Sequence, residues 1–251
     1  MILFQTYWIV FLAILFGSFI TRATGLGFAL IVVASLLTLP HIDQPTALFI
    51  AAPLSALNLG LIAGSLYQQT PWGILKQLSL PIVAGFILGF AFGVWVPKAL
   101  ILICGLIIVA YVFLSLVRPP QSNRPSPLSR PVLGGGLTGL MTGALAFPGP
   151  PISAFMIARG FIGDPIRVTV ALVGLMAALA RLLVGGHFTA PLPEFWHLMA
   201  IGSLLIFIGA ALGRLTARRM GPGLHRILIT IMILVAFLQL VYGLYRELCL
   251  V

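Results

Sequence analysis

The chain has 251 residues, 61% of them hydrophobic and 7% charged, with a mean hydropathy of +1.17. A soluble domain is about 45–50% apolar and about 25% charged, so this composition excludes a water-soluble core of this size, and no separate soluble domain is expected. The formal net charge of +10 comes from basic residues set singly or in short groups between apolar runs, which points to the lipid bilayer as the partner and away from nucleic acid.

In chain order, the first apolar run extends from Ile2 to Thr21. It has no Lys or Arg before it and no small-residue cleavage site before Arg22, so it reads as a retained membrane segment rather than a leader. Tyr7 to Leu39 is too long for one straight crossing and is interrupted by TRATGLG at Thr21–Gly27. Three uninterrupted spans of about 20 residues are expected next, at Thr46–Tyr67, Gly73–Val96 and Lys98–Val117. The Pro/Ser/Arg-rich stretch Arg118–Pro131 then reads as a solvent-exposed linker. Beyond it the order repeats. Leu133 to Arg159 is interrupted by FPGPP at Phe147–Pro151, and spans are expected at Ile166–Gly186, Phe195–Leu215 and Leu224–Tyr245.

The fold class expected is therefore an all-α integral membrane protein of two repeats, residues 1–117 and 132–251, joined by the linker 118–131. The halves match at a shift of about 120 residues, with Gly89 and Gly93 answering Gly209 and Gly213, and Gln44-Pro45 answering Asp164-Pro165. Arg118, Arg124 and Arg130 assign the linker to the cytoplasm, and counting spans outward puts Arg159, Arg167, Arg214, Arg218, Arg219 and Arg226 there too. The corresponding loops of the first half, with only Lys98 in one and His41 and Asp43 in the other, fall outside. Corresponding loops on opposite sides mean inverted repeats, each a broken or re-entrant opening followed by three crossings, with both termini extracytoplasmic.

Interrupted helices at membrane depth must be buried in protein or line a watery cavity, because lipid offers their backbone no partners. Arg22 stands in the first interruption beside Thr21, Thr24, Gly25 and Gly27. An arginine at the bilayer centre costs about 2.5–3.5 kcal/mol on insertion scales, and its planar fork suits oxyanions. The competing reading is an anchor at the membrane surface after a short first span. Arg181, deep in a later span, is a second candidate that can also snorkel outward. Helix starts near Gly25–Gly27 and near Gly149–Ile152 would turn free N–H groups and positive dipole ends inward, with Phe147, Pro148 and Gly149 of the second interruption as candidate binding residues. Asn58 and Ser55 are polar positions within a span, suited to lining a path or to bonding between helices. Gly89, Gly93, Gly139 and Gly143 read as packing glycines.

No Asp or Glu lies mid-span, so no proton relay is evident. Cys104 and Cys249 offer neither a metal-ligand spacing nor a disulfide framework, and no cofactor or metal is expected. No His-Glu metalloprotease pair, phosphate-cradling Gly-Lys loop or nucleophile elbow is present in the sequence, so no enzymatic activity is expected.

The opening GSFITRATGLGFAL and its counterpart GLTGLMTGALAFPGPPISAFMIARGF, followed by DPIR and a long apolar span, resemble the TauE/SafE sulfite exporter family over almost the whole chain. The chain has FPGPP where a richer glycine run is common, and Arg22 at a position where an uncharged residue could stand. The resemblance implies a multi-pass protein of a bacterial-type inner membrane that moves small sulfur-containing anions, sulfite or organosulfonates. The mechanism expected is alternating access, one half rocking against the other around an anion held between the interruptions by Arg22, the hydroxyls of Thr21 and Thr24 and backbone N–H groups. An anion channel and a non-transporting partner or sensor module are the alternatives. A homodimer is compatible with all three.

Overall fold

The computed structural model describes residues 2–36, 39, 42, 44–117, 129–145, 147–185 and 195–249. Positions 118–128 of the linker and His41, Asp43, His187 and Glu194 lie outside the described residues. Among the described residues the chain is helical, without strands. The first half comprises α1 (Ile2–Thr24), α2 (Phe28–Leu36), α3 (Gln44–Leu66), a 3₁₀ turn at Tyr67–Gln69, α4 (Trp72–Trp95) and α5 (Lys98–Val117). The second comprises α6 (Pro131–Leu145), α7 (Gly149–Ala158), α8 (Asp164–Gly185), α9 (Phe195–Arg219) and α10 (Pro222–Cys249).

Both interruptions are present and shorter than the sequence suggests. Thr21 to Thr24 remain helical, and the first break is confined to Gly25, Leu26 and Gly27. Gly25 and Gly27 hold φ of 94° and 117°, a region in which a Cβ is strained, and this ends α1. In the second break, Pro150 and Pro151 are already inside α7, where the first turn has no intrahelical use for their missing N–H groups. With 23 residues, α1 is ~34 Å long and reaches across a hydrocarbon core by itself, whereas α2 with nine residues does not.

Among the described residues, six helices are long and apolar enough to span a membrane: Tyr7–Thr24, Thr46–Gln69, Trp72–Gly93, Asp164–Leu183, Trp196–Arg219 and Ile227–Tyr245. They form an inside and an outside. Burial is 61% for Tyr7–Thr24 and 56% for Asp164–Leu183, against 17% for Trp72–Gly93 and 22% for Ile227–Tyr245. Exposed Leu80, Ile87, Leu204, Phe207 and Leu238 give the outer helices an apolar surface that suits lipid.

The packing exchanges partners between the halves: α1 lies on α9, α6 on α4, α3 on α8, and α5 on α10. Glycines make the first two contacts close. A Cβ on Gly139 or Gly143 would collide with the backbone of α4 around Phe86 and Phe90, and one on Gly85 or Gly89 with the backbone of α6 around Gly136 and Leu140. Likewise, Gly209 and Gly213 meet the Leu15 and Phe19 carbonyls of α1. Such contacts hold helices together in lipid through dispersion and weak Cα–H donation, since no hydrophobic gain is available there. Gly93, against Ala144 at ordinary distance, is less tightly constrained. The two equivalent pairs run antiparallel. Leu59 meets Gly174 while Ile62 and Ala63 cluster with Ala171, and Leu102 meets Gly243 while Gly105 meets Leu240.

Candidate functional site

The two interruptions touch. A Cβ built on Gly149, at the start of α7, would lie 2.9 Å from the Cβ of Leu26 in the middle of the first break. Around this contact is a cavity with about 70 Å³ open to the centres of water-sized spheres, several times the ~10–15 Å³ that one water needs. Small residues create the space: Ala51, Ala52 and Ser55 on α3 face Gly174, Ala177 and Ala178 on α8. Leu26, Phe28, Leu59 and Phe147 add apolar wall.

Of the residues singled out in the sequence, Thr21, Gly25, Gly27, Phe147, Pro148, Gly149 and Arg181 line this cavity. Ser55 lines it as well. The polar lining is short of partners. The Thr21 Oγ1, the Ser55 Oγ and the Arg181 Nε are buried without a hydrogen bond. The Arg181 Nη2 donates to the carbonyls of Thr142 at 2.8 Å and Gly143 at 2.9 Å, in the last turn of α6. Arg181 is thus held by one edge of its fork, with its Nε–H left over.

Arg22, Thr24 and Asn58 stand outside this lining, and each makes hydrogen bonds within the protein. The Thr24 hydroxyl lies 2.9 Å from the Ile20 carbonyl and 3.0 Å from the Leu26 carbonyl, and accepts from the Leu26 N–H at 3.3 Å, which ties down the first break. The Asn58 Oδ1 accepts from Ser18 at 2.9 Å, joining α3 to α1, and the same Ser18 hydroxyl lies 2.9 Å from the Ile206 carbonyl of α9. The Arg22 Nη1 donates to the Leu61 carbonyl at 3.2 Å, in the last turn of α1, with Arg214, Asp164 and Arg167 as its electrostatic neighbours. Arg22 is buried, so it is not the solvated anchor of the competing reading.

Sequence reasoning treated Arg167 only as an orientation marker. It is buried, paired with Asp164 at 2.7 Å, and its Cα would lie 3.0 Å from a Cβ on Gly25. The Asp164-Pro-Ile-Arg167 spacing, one helical turn, was the available signal. Among the described residues no group of three His, Cys, Asp or Glu is placed to hold a metal.

Residues 10–240 match the family described as sulfite exporter TauE/SafE. The chain belongs to the TauE/SafE sulfite exporter family. No curated protein and no solved structure matches it. As a TauE/SafE member with six long apolar helices, it is a multi-pass membrane protein of a transporter family. The cavity at the meeting of its two breaks is its candidate site.

Proposed function

We propose that this TauE/SafE protein exports a small sulfur-containing anion, sulfite or an organosulfonate, by alternating access, with the anion held in the cavity between the two helix breaks. The observation that carries this reading is the set of donors left unpaired around that cavity: Thr21 Oγ1, Ser55 Oγ and Arg181 Nε. A buried unsatisfied polar group costs about 1–3 kcal/mol, and an oxyanion accepting from all three removes that cost. The N-terminus of α2, with Phe28, Ala29 and Leu30 at the cavity, adds backbone N–H groups and the positive end of a helix dipole. Pro150 and Pro151 strip α7 of two donors, so α7 contributes chiefly through Gly149 and its dipole.

The antiparallel run of α3 against α8 and of α5 against α10 supports an inverted relation between the halves, with the linker in the cytoplasm and both termini outside a bacterial-type inner membrane. An inside-negative potential of roughly 100 mV favours exit of one negative charge by about 2.3 kcal/mol, enough to drive export without a coupling ion. The absence of acidic groups from the described cavity lining agrees with this. The test is flux of radiolabelled sulfite and sulfoacetate in proteoliposomes under imposed potentials. Flux that scales with voltage and saturates supports the carrier; flux that needs a proton gradient and ignores voltage defeats it, and conductance far above carrier turnover makes it a channel.

A further inference from the structure

Arg22 closes α1 with 6% of its surface exposed, and three charged groups surround it: Arg214, Asp164 and Arg167. Arg22 lies against α9 where a Cβ on Gly213, the neighbour of Arg214, would be 2.7 Å from its own Cβ, and Arg22 and Arg167 both feel the one carboxylate of Asp164. That carboxylate is already engaged, because the Asp164 Oδ1 accepts from the Arg167 Nη1 at 2.7 Å. Arg167 is itself 5% exposed, and its buried Nε–H has no acceptor. Of the five donors on the Arg22 fork, one is used among the described residues, by the Leu61 carbonyl. Two nearly buried cations with a single shared counter-charge are costly to hold, and a bound anion offsets that cost.

The cluster also has a way in and a way on. Arg214 is exposed and the Asp164 side chain is 34% exposed, so one side is open. On the other side the backbone of Arg167 abuts Gly25, which lines the cavity. The arrangement is one-sided. With a shift of 120 residues, positions 164, 167 and 214 correspond to Gln44, Ala47 and Val94, none of them charged. An ordinary helix-start ion pair explains Asp164 with Arg167 but not the second buried arginine, Arg22, within reach of the same carboxylate.

We propose that Arg22, Arg167 and Arg214 form a second anion-binding station at one mouth of the cavity, taking the same small oxyanions. Asp164 is its tethered counter-anion, which the arriving anion displaces from Arg167. This rests on the cavity reading above. In an exporter the station concentrates substrate on the side where the arginines lie and hands it past Gly25.

The experiment is sulfite titration of the purified full-length protein by calorimetry, with thermal unfolding recorded for each variant. Arg181→Gln weakens the cavity and is expected to leave residual sulfite binding, which the double variant with Arg167→Gln loses. Asp164→Asn in the Arg181→Gln background is expected to tighten the residual binding roughly two- to five-fold, the scale of a partly solvated ion pair. Asn preserves the helix-start role, so folding should be kept. Where Arg167→Gln fails to fold, Arg22→Gln takes its place. Residual binding indifferent to Asp164→Asn, or absent from folded Arg181→Gln protein, overturns the station. If Arg181→Gln binds sulfite as the parent does and Arg167→Gln abolishes that binding, the station stands and the cavity reading falls.

Discussion

Arg22 and Arg181 occupy opposite ends of one repeated contact. Arg22 donates to the Leu61 carbonyl and Arg181 to the Thr142 carbonyl, and with a shift of 120 residues position 22 corresponds to 142 and position 61 to 181. Each half thus ties its opening helix to its next long span by a guanidinium on a backbone oxygen, with the arginine on the opening helix in one half and on the long span in the other.

Arg181 is expected to matter twice. Replacement by Gln removes the charge at the cavity and leaves the Thr142 and Gly143 carbonyls without their donor. Hydrogen bonds to charged groups are worth about 1.5–3 kcal/mol, so sulfite affinity should fall roughly 10- to 100-fold, with a lower unfolding temperature in the same sample. Lys, which keeps the charge but not the fork, should fall between the two; calorimetry and thermal unfolding check both effects.

Thr21→Val and Ser55→Ala should move stability and binding in opposite directions. Each removes a buried hydroxyl that has no partner in the protein, so the unliganded variants are expected to be equally stable or about 1 kcal/mol more stable, while sulfite affinity drops several-fold. Unfolding midpoints with and without sulfite measure both. Loss of stability with unchanged affinity would return these hydroxyls to the framework.

The α4–α6 seam predicts a sharp contrast between neighbouring glycines. Gly139→Leu pushes a side chain into the backbone of α4 and should destabilise by ~3 kcal/mol or more, whereas Gly136→Ala, with nothing near its Cβ position, should be neutral or slightly stabilising. Thermal unfolding in detergent separates the two.

Voltage supplies the fourth prediction. With sulfite loaded inside and no pH gradient, imposing an inside-negative potential should accelerate efflux, and collapsing it with an ionophore should return efflux to the rate set by concentration alone. Tracer release from vesicles reads this directly.

The sequence carried the membrane class, the long spans and the position of both breaks, because apolar length and Gly/Pro punctuation are local properties. The packing glycines Gly89, Gly139 and Gly143 were legible for the same reason: small residues at helical spacing in an apolar run have few other uses. What Arg22 touches was not legible. Its place in the cluster depends on Arg167 and Arg214 arriving from α8 and α9, more than a hundred residues away. Thr24 was read as a ligand from its residue type, yet a hydroxyl beside a helix break finds nearby carbonyls and an N–H first. The extra helical turn before Gly25 was hidden too, since Thr21 and Thr24 are weak helix formers that flank and blunt the signal of Arg22 and Ala23.

Because α1 lies on α9 and α6 on α4, with glycine seams that admit no side chain, each opening hairpin is more closely wedded to the other half's scaffold than to its own. Under the alternating access proposed above, the moving bodies are of mixed parentage, and cutting the polypeptide between positions 118 and 128 separates parts of a weave rather than two modules. Either fragment made alone would present a bare glycine groove to lipid; the two made together in one cell should find each other and restore the protein.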